Sequence, residues 1–218
     1  MKSIALIGAG LAAAVAASAS AQISLQVEYN PVLQGGRHVW SVWVVTTNPS
    51  NILLNVIDHT VTSGSMSGVE HNDNDVADDG PGTWNPSFTI GTAQRANDSF
   101  VTITGLTGSS ALTNLDPSFG SGSGSAIPTA AGWFHGGNPP GTSMNVTGNR
   151  IRVMQIAGSS LTNTVLHYTA RLTVGYKANS ASADPLFATN LTYTIGIPAP
   201  GALALLGVAG LAGRRRRG

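Results

Sequence analysis

Between Leu166 and Val174 the chain alternates without a break. Leu166, Tyr168, Ala170, Leu172 and Val174 are apolar or small, and His167, Thr169, Arg171 and Thr173 between them are polar. Successive side chains on a strand point to opposite faces, whereas a helix brings a side chain back to the same face every 3.6 residues or so. A period of two held this long predicts a strand with one buried face and one wet face. The same period runs through Ile23, Leu25, Val27 and Tyr29 against Ser24, Gln26 and Glu28. It returns in Leu191, Tyr193, Ile195 and Ile197 against Thr192, Thr194 and Gly196. His38 to Thr46 is apolar on both faces, as a central strand would be, and Ile52–Val61, Ser99–Thr104 and Arg150–Ile156 also read as strands. In the last of these, Ile151 and Val153 point one way and Met154 and Ile156 the other, a change of phase that predicts a bulge. No helical periodicity appears outside the two ends. The expected fold class is all-β, an antiparallel β-sandwich of jelly-roll or Ig-like kind.

The two ends follow different rules. Lys2, the alanine-rich apolar run Ile4–Ala17 and the small-x-small site Ala19-Ser20-Ala21 form the three regions of a secretory signal peptide. Cleavage after Ala21 would leave Gln22 first. The other end joins Pro198-Ala199-Pro200, an uncharged run from Gly201 to Gly213, and Arg214, Arg215, Arg216 and Arg217. As a helix that run would reach roughly 20 Å at about 1.5 Å per residue, short of the roughly 30 Å hydrocarbon layer. Each arginine costs about 2.5–3.5 kcal/mol at mid-bilayer, so the arginine block would stay at the cytoplasmic face. This three-part end resembles the PEP-CTERM protein-sorting tail, with Ala199 where that family has glutamate. The resemblance covers residues 197–218. It implies recognition and removal by a membrane protease-transpeptidase, exosortase, and the same tail is also catalogued as an ice-binding-protein C-terminal domain. A plain short anchor with a basic stop is the competing reading. The expected organisation is a signal peptide over 1–21, a secreted domain over 22–196 and a sorting tail over 197–218.

The body from 22 to 196 has six basic residues against ten acids, a net charge of −4. That is no electrostatic footprint for nucleic acid. The chain has no cysteine, so the domain relies on its core or on bound ions. Five of the ten acids fall between Glu70 and Gly80. Oxygen-rich loops of this kind can wrap Ca²⁺, and Asp73, Asp75 and Asp79 are the candidate ligands. A solvated acidic loop is the simpler alternative, and the spacing does not fit an EF-hand. Thr107 to Gly148 is dominated by Gly, Ser, Thr, Asn and Pro and reads as a long loop. Within it, Trp133 and Phe134 are either aromatics for stacking on a sugar ring or a short buried strand. Trp84 carries the same ambiguity.

Catalytic signatures are sparse. The chain has no His-Glu-x-x-His zinc motif and no Gly-x-Ser-x-Gly elbow. Asp58 and His59 are adjacent, and on a strand they face opposite ways. A glycosidase needs two carboxylates placed by the fold, and Glu28, Asp58, Asp98, Asp116 and Asp184 stay open for that role. The expectation is an exported, non-enzymatic protein of the cell surface or extracellular matrix. Its partners would be the export translocon, signal peptidase, an exosortase-like enzyme and the inner membrane. The alternatives are a polysaccharide-binding or, further off, ice-binding sandwich, and last a secreted hydrolase.

Overall fold

A computed structural model describes residues 22–34, 37–69, 84, 98–104, 112–120, 126–137, 140–144, 148–159, 166–178 and 184–196. The expected signal peptide with Ala19 and Ala21, the acidic stretch with Asp73, Asp75 and Asp79, and the expected sorting tail with Pro198 to Arg217 lie outside the described residues. The described chain is all-β, and every strand pairing in it is antiparallel.

The strands are β1 (Ile23–Gln34), β2 (Arg37–Thr46), β3 (Ile52–Ser65), β4 (Phe100–Val101), β5 (Thr113–Leu115), β6 (Ala131–His135), β7 (Thr142–Ser143), β8 (Arg150–Ser159), β9 (His167–Lys177) and β10 (Leu186–Ile195). One sheet has the order β1-β2-β8-β4. The other has the order β10-β9-β3-β6-β5, with β7 also pairing with β3. A single apolar cluster draws on both sheets, with Trp40, Val42, Met154 and Ile156 from the first and Val56, Trp133, Tyr168 and Leu172 from the second. Each buried indole among these finds a partner for its N–H, as a buried tryptophan requires. Trp40 Nε1 donates to Gly196 O at 3.2 Å, and Trp133 Nε1 donates to Thr102 O at 3.1 Å.

The strict alternation from Leu166 to Val174 lies on β9 and the preceding residue. Tyr168, Ala170, Leu172 and Val174 are buried, while His167 and Arg171 are exposed and Thr169 is half-buried; Thr173, expected on the wet face, is buried as well. β2 is central in its sheet, which explains apolar residues on both of its faces. The phase change in β8 is a bulge. Val42 pairs with Met154 and Trp43 with Arg152, so Val153 is the extra residue. The bulge lets Ile151, Val153, Met154 and Ile156 all reach the core. A second bulge in β3 falls between Ile57 and Thr60, with Asp58 at φ 57. It turns Asp58 to solvent and His59 into the core.

The region Thr107–Gly148 departs from expectation. In place of one long loop it contributes β5, β6, β7 and a short 3₁₀ helix, Pro117–Phe119, capped by Asp116 accepting from Ser118 N. These strands are two to five residues long, too short to display a period. The expected strand Ser99–Thr104 narrows to β4, although Val101, Ile103 and Thr104 remain buried.

Candidate functional site

Trp133 and Phe134 are neighbours on β6 and therefore face opposite ways. Trp133 pairs with Val56 and is completely buried, so its ring has no face to offer a ligand. Of the two readings open for Trp133, the structure has the short buried strand and no stacking surface: the indole is a core element held by the Thr102 carbonyl. Phe134 pairs with Asn55 and Asn114 and is 40% exposed on the outer face of the sheet. Trp84 is also fully buried.

The outer face of the other sheet carries a charged cluster. Trp43 on β2 pairs directly with Gln26 on β1 and Arg152 on β8. The Arg150 guanidinium lies 4.2 Å from the Trp43 ring centroid and ion-pairs with Glu28. Arg152 lies 5.6 Å from the same ring and 5.8 Å from that of Phe100. It donates to Gln155 Oε1 at 3.0 Å, and Gln155 Nε2 donates on to Asp98 O at 2.8 Å. Burial lowers the Arg152 pKa, and the Glu28 charge partly offsets that. The cluster is a stacked cation–aromatic face with one carboxylate, chemistry suited to clamping the sheet and to meeting polar ligands.

Among the described residues, His59 and two tyrosines form a buried titratable group. His59 is 0% exposed, and its Nε2 lies 2.7 Å from the Tyr193 hydroxyl. The Tyr193 hydroxyl also lies 3.6 Å from Met154 Sδ, a weak acceptor, so the direction of the shorter His59–Tyr193 bond follows the tautomer of the ring. Its Nδ1 is buried with no partner. The doubly protonated ring would be a buried charge with no acceptor at Nδ1, and burial pulls the His59 pKa down to about 4. Burial likewise pushes the Tyr168 and Tyr193 phenols up. A histidine so placed is neutral at physiological pH and is a packing element with a polar tie.

The five open carboxylates are not assembled at one centre by any described contact. Glu28 holds Arg150, Asp98 accepts from Ser99 N at 2.8 Å, Asp116 caps its 3₁₀ helix, and Asp58 sits at the β3 bulge. Among the described residues no three His, Asp or Glu side chains group as metal ligands. None of the described helices is long and apolar enough to cross a membrane. No family model, no curated protein and no solved structure matches this chain.

Proposed function

We propose that this chain is an exported, non-enzymatic protein of the cell surface or extracellular matrix. It is a β-sandwich of jelly-roll or Ig-like kind between a signal peptide and a PEP-CTERM-like sorting tail. The observation that carries this function is the order of residues 198–217: Pro198-Ala199-Pro200, an uncharged segment, then four arginines. A folded core has no use for that order, whereas a bilayer selects it. The uncharged segment enters, the arginines stop at the inner face, and the Pro-x-Pro element is left outside, where an exosortase-like enzyme reaches it. The signal peptide, cut by signal peptidase between Ala21 and Gln22, brings the body through the translocon first.

Two features of the body support a non-catalytic role. Its two sheets bury one continuous core, and Glu28, Asp116 and Asp58 serve ion-pair, capping and turn roles. Removal of residues 201–218 tests the tail. In a host with an exosortase-like enzyme, the full chain reaches the surface or medium, while the shortened chain is released into the periplasm. Identical distribution of the two would refute a sorting role.

A further inference from the structure

Register brings together two exposed aromatics that lie far apart in sequence. Phe187 on β10 pairs with Gly175 on β9, Gly175 pairs with Asn55 on β3, Asn55 pairs with Phe134 on β6, and Phe134 pairs with Asn114 on β5. Directly opposed residues of a sheet share a face. These five therefore form one row across the outer face of the sheet, perpendicular to its strands. Phe187 is 52% exposed and Phe134 40%, two of the three large hydrophobics that are exposed among the described residues. They stand three strand spacings apart, about 14 Å. Between them Gly175 has no side chain, and its neighbours fill the space that leaves. The Asn55 amide and the Phe187 ring edge lie over that glycine, and a Cβ placed there would meet both. Asn55 Oδ1 is buried without a hydrogen-bond partner. The row contains no ionisable side chain.

We infer that this row is a binding platform for a neutral, extended polysaccharide lying across the strands. A pyranose ring offers C–H groups on its faces and hydroxyls on its edge. Two phenyl rings with amides between and beside them match that alternation, with sugar faces on Phe187 and Phe134 and hydroxyls toward exposed Asn114 and half-buried Asn55. The absence of charge in the row selects a neutral glycan over an acidic one. A protein partner fits poorly. The two rings expose together about 180 Å², taking roughly 200 Å² for a whole phenylalanine. A stable interface needs about 800 Å² on each side with an apolar centre. A sugar chain needs only a narrow track.

The platform is independent of the tail and is read on purified protein, wherever the cell places it. The full chain in detergent is tested by affinity electrophoresis in mixed-linkage β-glucan and by calorimetry with cellohexaose, with alginate as the acidic comparison. The expected result is retardation by the neutral glucan and weaker or no retardation by alginate. Phe134→Ala and Phe187→Ala should each weaken binding about tenfold, through loss of one stacked ring. The double Phe→Tyr variant should retain it. Phe187→Trp gives a second readout that does not depend on a truncated side chain: its emission shifts when cellohexaose is added. No binding of either neutral probe, unchanged affinity in the alanine variants, or preference for alginate would each overturn the platform. So would a dimer of the wild type that both alanine substitutions dissolve, because a second copy would then be the occupant.

Discussion

His59 makes a quantitative prediction about acid. Its folded pKa is about 4 against an ordinary value of 6.5. The unfolded chain therefore binds a proton that the folded chain refuses. Stability from this residue is fully present above pH 6.5, falls as the pH drops toward about 4, and is flat below that. The full difference corresponds to about 3 kcal/mol at roughly 1.4 kcal/mol per pKa unit. Near pH 5, the loss relative to pH 8 is about 2 kcal/mol. For a body of this size that is a fall of about 4–8 °C in melting temperature. The geometric cause is specific: Nε2 is committed to Tyr193, and Nδ1 faces no acceptor. The assay is denaturant unfolding of the wild type and His59→Gln at pH 8, 6 and 5. Glutamine keeps an amide near Tyr193 and does not titrate, so the difference between the two proteins isolates His59 from every carboxylate. The variant starts less stable, and the gap should narrow by about 2 kcal/mol on going to pH 5. A constant gap across the range would refute the reasoning.

Three further outcomes are expected. Gly64 has φ +76, and a Cβ there would strike the backbone oxygen of His167 on β9; Gly64→Ala should cost about 2 kcal/mol or more in chemical denaturation, and a neutral result would contradict the close approach. Trp133→Phe removes the donor to the Thr102 carbonyl and leaves a small void, so a loss of about 2–4 kcal/mol is expected; a loss below 1 kcal/mol or so would contradict a bonded core indole. If Asp73, Asp75 and Asp79 wrap Ca²⁺, saturating Ca²⁺ at about 100 times Kd raises stability by about 2.7 kcal/mol, and chelator reverses it. A melting temperature indifferent to both assigns that segment to a solvated acidic loop.

Much of the fold was legible in period-two patterning. β9 showed its buried face residue by residue, and β8 showed its bulge as a change of phase, because a bulge must invert the inward set. The short strands β5 and β7 were hidden, since a strand of two or three residues displays no period, and β6 showed only as one of two readings of Trp133 and Phe134. Adjacent pairs posed a different problem. Sequence places Asp58 opposite His59, and Trp133 opposite Phe134, without saying which member faces the core. The neighbouring strands decide that, and they bury His59 and Trp133. The row from Phe187 to Phe134 had no local signal at all. It exists only through cross-strand register, which depends on bulges in β3 and in β10, the latter beginning one residue after Phe187. Composition could have marked both residues only as aromatics among polar neighbours.

The central claim is that the ends of this chain direct its body across and out of a membrane, and intact mass tests it most directly. The protein is recovered from membrane and extracellular fractions of a host that carries an exosortase-like enzyme. The expected species in the extracellular fraction begins at Gln22 and lacks Arg214 to Arg217. A species that ends at Gly218 and stays in the inner membrane would contradict sorting and leave the tail as a plain anchor.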